Sequence, residues 1–232
     1  MKRVYTEVAV EPAEDGFAIM LDGRPVRTPG RRMLAVPSRA LAEAIAAEWR
    51  AQGDRVEPRS MPLTRLASTA LDLVGQRRPA IVDEIAAYAG TDLVCYRADA
   101  PAELAARQHA AWQPLLDWAA ARYGAALVVT QGVVPRPQPP EALAALRRAV
   151  EAYDDMALVA LHAATAAAGS LIVALALLDG RIDAAEAFAA SQLDETFQIE
   201  AWGEDAEAAA RRRAVAADIA AAARFLSLLA QD

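Results

Sequence analysis

Apolar and polar residues alternate over the first 37 residues, then recur at steps of three and four for most of the remaining chain. Val4, Thr6, Val8 and Val10 alternate with Tyr5, Glu7 and Ala9, which predicts a first strand. Pro12 to Gly16 predicts a turn and Phe17 to Leu21 a second strand. Asp22-Gly23 then predicts a tight hairpin into Arg24 to Arg27, and Met33 to Val36 a last short strand. Ser38 is placed to cap a helix through about Gln52 with Leu41, Ile45 and Trp49 on one stripe, ended by Gly53. That helix would cover the small antiparallel sheet.

Val56 to Pro62 has two prolines and no period, and reads as a linker. Beyond it the pattern is helical. Leu63, Leu66, Ala67, Ala70, Leu71 and Val74 form one stripe ended by Gly75; Val82, Ile85, Ala86 and Ala89 form another between Pro79 and Gly90. Leu93 to Arg97 reads as a short extended piece. Pro101 opens a helix to about Tyr123, in which Pro114 predicts a kink or break. Ala125 to Val134 reads as a strand or extended connector, Pro135 to Pro140 as a loop, and Glu141 to Ala152 as a helix. Asp183 with Glu186 is a capping-box start for a helix running to Gly203, with Ala185, Ala189, Leu193 and Phe197 facing a core. Val215, Ile219, Ala222, Leu226 and Leu229 line a final helix, Glu204 to Ala230. The expected fold is α+β: an N-terminal α+β domain over residues 1–58, then an all-α orthogonal bundle over 59–232.

Composition changes this picture in three places. The stretch Met156 to Leu178 is uncharged and long enough to span a bilayer. Its alanine content, His162, Thr165 and the Gly169-Ser170 junction instead predict two buried helices and no membrane insertion. A net charge of −7 with only short arginine clusters argues against nucleic-acid binding. One cysteine, Cys95, excludes an internal disulfide. The start MKRVYTEVAV reads as a strand rather than a leader, as expected of either a bacterial cytoplasmic protein or an already processed organellar one.

Catalytic chemistry has little to stand on. The chain has no G-x-x-x-x-G-K-[ST], no G-x-G-x-x-G after a strand, and no G-x-S-x-G around Ser170. His109 and His162 lack metal-ligand spacing, and no cofactor or metal is expected. Asp194 and Glu195 are adjacent, so on a helix they point about 100° apart and do not share one proton site. A small-molecule enzyme with a site around His162 and Cys95 remains the alternative. The stretch LDETFQIEAWGED, Leu193 to Asp205, reads instead as a recognition surface. Asp194, Gln198 and Trp202 form an i, i+4 ladder with Glu195 beside it and Glu204 just beyond. Trp202 either presents an aromatic to a partner or folds back at Gly203 onto the next helix.

The order of several blocks resembles the assembly chaperones for the alpha subunit of the F-type ATP synthase catalytic head. They are G-R-P-V-R-T-P at Gly23 to Pro29, E-W at Glu48-Trp49 with Gln52, M-P-L-T-R-L at Met61 to Leu66, Y-A-G-T-D-L-V-C-Y-R at Tyr88 to Arg97, R-Q-x-x-x-W at Arg107 to Trp112, and L-D-E-x-F-Q-x-E-x-W-G at Leu193 to Gly203. The resemblance implies a non-enzymatic chaperone, monomeric when free, that binds the alpha subunit and prevents its aggregation. It would leave when the alpha/beta hexamer forms. It also implies a sensitive acidic position at Asp194 or Glu195. The expected partner-binding residues are Asp194, Glu195, Gln198, Trp202, Glu204 and Trp49.

Overall fold

A computed structural model describes residues 2–132 and 134–231. The chain packs as two compact units: residues 1–78 with 154–160 and 224–232, and residues 79–153 with 161–223. The fold is α+β, as the hydrophobic pattern indicates.

In the first unit β1 (Val8–Ala13) and β2 (Gly16–Leu21) form a hairpin, and β2 also pairs with β3 (Arg24–Pro25) and β4 (Ala35–Val36), all antiparallel. The Asp22-Gly23 turn has φ of 47° and 73°, the left-handed pair that matches strand twist. Gly16 is required for space: a Cβ there would lie 2.3 Å from the Val36 carbonyl oxygen. The first strand begins at Val8, not Val4. Asp22 explains the delay, because its carboxylate accepts the backbone N–H groups of Thr6 (3.1 Å) and Glu7 (2.8 Å). Val4 is exposed and Tyr5 is buried.

Helix α1 (Arg39–Arg50) covers the sheet with Leu41, Ala42, Ile45 and Ala46, all fully buried. Ser38 caps it by accepting from Leu41 N. The helix stops two residues before Gln52 because Gln52 turns inward, where its Oε1 accepts the Glu57 N–H at 2.7 Å. The next helix, α2 (Pro62–Thr69), starts without a side-chain cap of its own. Glu48 of α1 supplies one: its two oxygens accept Leu63 N (2.8 Å) and Thr64 N (2.9 Å), and also the Thr64 hydroxyl. Gly75 does not end this helix. The backbone passes through a π turn at Ala70–Val74 into α3 (Gly75–Ala87), with Gly75 at an ordinary helical φ of −56°. Within the turn, Asp72 accepts from the Thr28 hydroxyl and from Gly30 N. Glu48 thus ties α2 to α1 and Asp72 ties the π turn to the loop between β3 and β4, and this packing unit extends past the expected boundary at residue 58.

The second unit is built around α7 (Leu171–Leu178), whose first seven residues are all buried. A helix apolar all round must be enclosed. Here α4 (Ala102–Tyr123), α8 (Ala184–Ser191) and a 3-10 turn at Tyr88–Thr91 pack on it. α6 (Asp155–Ala168) precedes it, and Gly169 at φ +66° breaks the long apolar stretch where expected. Among the described residues no helix is long and apolar enough to cross a membrane. Pro114 does not break α4. β5 (Tyr96–Arg97) and β6 (Thr130–Gln131) add a two-stranded parallel ladder, and α5 (Pro140–Glu151) follows the proline loop. The last helix, α10 (Ala206–Leu229), buries Ile219, Ala222 and Phe225; Phe225 is absent from the expected stripe, and Val215, Leu226 and Leu229 are only partly covered.

The start of α7 is the most polar point of this apolar unit. Ser170 caps it by accepting Val173 N at 3.0 Å. Asp92, fully buried, accepts from the Ser170 hydroxyl at 2.5 Å, from Ile172 N at 3.1 Å and from Val94 N at 3.2 Å. Burial outweighs these bonds and raises the Asp92 carboxyl from 3.8 to about 6.

Two measurements follow from these contacts. Glu48→Ala leaves two helix N–H groups uncapped and should lower the unfolding free energy by about 2 kcal/mol in a urea titration. For Asp92, both states hold the proton below about pH 4, whereas between about 4 and about 6 only the native state holds it. Its contribution to stability therefore falls as pH rises through that window and is level above it. A carboxyl NMR titration should give a midpoint near 6, and Asp92→Asn should remove this part of the pH dependence.

Candidate functional site

The acidic stretch forms a helix of its own. Gln192, at φ −111° and ψ 22°, separates α8 from α9 (Leu193–Trp202), so the expected continuous helix is broken. The break undoes the expected core stripe. Ala185 and Ala189 are exposed, Leu193 and Phe197 only half-buried, and Ala187, Ala190 and Ser191 turn inward instead. Ala189 and Leu193, with Ala111, Leu115 and Ile182, line a hollow of about 420 Å³. No residue of α9 is fully buried.

Polar side chains hold α9 in place. From α4, Gln108 donates to Asp194 at 2.8 Å, while its oxygen accepts Ala98 N at 2.7 Å. Arg107 pairs with Glu200 at 2.6 Å, and its guanidinium lies 5.2 Å over the Phe197 ring. From α10, Arg212 meets Glu204 at 3.2 Å and the Thr196 hydroxyl at 3.1 Å. Asp194 also acts on Arg97, which is buried over the Trp112 ring with Nε and Nη2 lacking any acceptor among the described residues. Burial lowers the Arg97 pKa, while the thiol side of Cys95 and the Asp194 carboxylate oppose the shift. Trp112 completes the support by donating its indole N–H to the Ala190 carbonyl at 2.9 Å.

These contacts sort the expected partner-binding residues. Asp194 and Glu204 are engaged within the protein. Glu195 and Gln198 make no hydrogen bond or ion pair among the described residues, and Gln198 is exposed. Trp202 is 80% exposed, so it does not fold back at Gly203. Trp49 belongs to the first unit, where its ring meets Tyr5 edge-to-face at 5.7 Å beside Val56 and Met61. Gln108 and Arg212 were not among the expected site residues; the R-Q-x-x-x-W spacing, which puts Gln108 and Trp112 on one helix face, was the available signal for the first.

The alternative centre gains nothing from the geometry. Cys95 is buried and its thiol is pushed up to about 12, mainly by desolvation, far from thiolate reactivity. His162 is not a core histidine; it is half-exposed and faces Glu84 at 3.8 Å. Among the described residues no three His, Cys, Asp or Glu side chains are grouped as metal ligands.

The profile of the ATP12 chaperone protein family matches residues 2–120. The crystal structure of Atp12 from Paracoccus denitrificans is 44% identical, has a TM-score of 0.93 and covers 98% of both chains. The chain belongs to the ATP12 chaperone family. A lysine-for-aspartate variant of the Paracoccus protein matches equally, at 44% identity and TM-score 0.93 over 98% of this chain and 97% of that one. The mitochondrial protein atp12 of Schizosaccharomyces pombe is 25% identical over 214 residues, 87% of this chain and 74% of its own. ATP12 proteins are ATP synthase assembly chaperones. In this ATP12 protein the sequence blocks that carried the resemblance bind one another. E-W with Gln52 meets M-P-L-T-R-L through Glu48, and R-Q-x-x-x-W meets L-D-E-x-F-Q through Gln108.

The division between inward and outward residues is measurable. Asp194→Lys places a cation against Arg97 and the Gln108 amide and should cost about 2 kcal/mol or more in urea unfolding. Glu195→Lys and Trp202→Ala should each change it by no more than about 0.5 kcal/mol.

Proposed function

We propose that this ATP12-family protein binds the free alpha subunit of the F-type ATP synthase head, keeps it from aggregating, and gives it up as the alpha/beta hexamer assembles. The observation that supports this most is Trp202, a large aromatic held in water at the end of a helix whose outward face also offers Glu195 and Gln198. Exposed tryptophan is enriched at the energetic centres of interfaces, and Trp202 is left uncovered by the described residues. A subunit awaiting its neighbours exposes the kind of apolar surface such a residue would cover. We read the neighbouring carboxylates as orienting the encounter with a cationic rim. The activity is non-enzymatic binding, by a protein monomeric before it meets its partner, in the bacterial cytoplasm.

Coexpression of a cognate alpha subunit with this protein, followed by size exclusion, tests the proposal. The alpha subunit should become soluble as a one-to-one complex. Trp202→Ala should weaken that complex by about 2 kcal/mol, roughly thirtyfold in Kd, and Glu195→Lys should weaken it further at low salt. A complex indifferent to both substitutions would move the contact surface off α9, and no complex at all would reject the alpha-subunit reading.

A further inference from the structure

The first unit carries a second surface that the reading of α9 does not use. It is a groove of about 540 Å³ with an apolar floor that includes Tyr5, Trp49 and Val56. Lys2, Arg24 and Arg27 also line it, and all three are exposed. The side chains of Lys2 and Arg24 meet no hydrogen-bond or ion-pair partner among the described residues, and Arg27 reaches only the Arg31 carbonyl at 3.1 Å. One carboxylate lies in the groove, that of Asp22, and it is already engaged by the N–H groups of Thr6 and Glu7. An adjoining hollow of about 740 Å³ shares Lys2 and Tyr5 and adds Arg3 and Arg55 against Asp54.

The charge of this strip runs against that of the whole chain. Five cationic side chains line the two hollows against two carboxylates, in a protein of net charge −7. The floor also contains a polar group without a partner: the Trp49 indole N–H is buried and has no acceptor among the described residues. Donors are therefore in surplus and acceptors scarce, on a hydrophobic base. We propose that this groove is a second docking surface, which takes an extended acidic segment of a partner polypeptide and seats an apolar side chain of that segment on the Tyr5–Trp49 floor. Carboxylates of the segment pair with Lys2, Arg24 and Arg27, and desolvation by the apolar anchor strengthens those pairs. A nucleic-acid strand suits the site less well. Tyr5 is buried and packs edge-to-face with Trp49, so the rings offer no open stacking platform.

Fluorescence anisotropy with the full chain and a labelled short peptide of alternating glutamate and leucine tests this. The peptide should bind, should weaken several-fold between low and physiological ionic strength, and should bind about tenfold more weakly to Arg24→Glu/Arg27→Glu. Both arginines are exposed, and the double Arg24→Gln/Arg27→Gln variant, with intermediate loss, serves if charge reversal disturbs folding. Trp202→Ala should leave peptide binding unchanged, which separates this surface from the α9 reading. Equal affinity for the glutamine version of the peptide would overturn the proposal, as would indifference to the arginine substitutions or loss of binding in Trp202→Ala. A labelled oligonucleotide of equal charge that binds as tightly would make the strip a general polyanion surface and also overturn it. Self-association that disappears in Arg24→Glu/Arg27→Glu would assign the groove to a second copy instead.

Discussion

The second unit depends on a carboxylate placed where carboxylates are least at home. α7 is enclosed on all sides, so the N–H groups of its first turn cannot turn to water. Ser170 satisfies one and Asp92 another, and Asp92 also fastens the turn that leads into β5. Burying the charge costs about 3 kcal/mol at neutral pH by the shift in its carboxyl. Leaving the donors of an enclosed helix unmet would cost a comparable amount for each. The wall that carries Arg97 and, through Gln108, Asp194 is thereby tied to the core helix. Glu48 plays the corresponding part in the first unit, where one carboxylate starts α2 and joins it to the helix that covers the sheet.

Much of the fold was legible because it rests on local rules. The Asp22-Gly23 hairpin, the Ser38 cap, the Asp183–Glu186 box and the Gly169-Ser170 junction each need only a few neighbouring residues, and each is where the pattern put it. The misplacements share a cause, in that a distant side chain overruled local preference. Asp22 drew Thr6 and Glu7 out of the first strand. Gln52 bent away from the end of α1. The π turn carried the chain past Gly75, whose conformational freedom was not called upon.

The candidate site was legible in its residues more than in its geometry. The i, i+4 ladder Asp194, Gln198, Trp202 lies wholly within α9 and therefore survived the break at Gln192. The ladder through Ala185, Ala189, Leu193 and Phe197 crossed that break and did not. No periodicity reveals that Asp194 is held by Gln108 beside Arg97 while Glu195 has no such partner among the described residues, since that is decided by α4, some ninety residues earlier. Nor could position alone decide between a covered and an uncovered Trp202. That outcome depends on α9 ending at Gly203, with φ of 82°, before the chain turns into α10.

The absence of any fully buried residue in α9 has a consequence for how the helix keeps its place. Elsewhere in the unit, order is secured by water-excluded packing, which salt scarcely affects. α9 is moored instead by Arg107, Arg212 and Gln108, and the first of these moorings, Arg107 with Glu200, is an ion pair open to solvent. Mobile ions screen such pairs over about 8 Å at physiological strength. α9 thus rests in part on a contact that the surrounding electrolyte weakens.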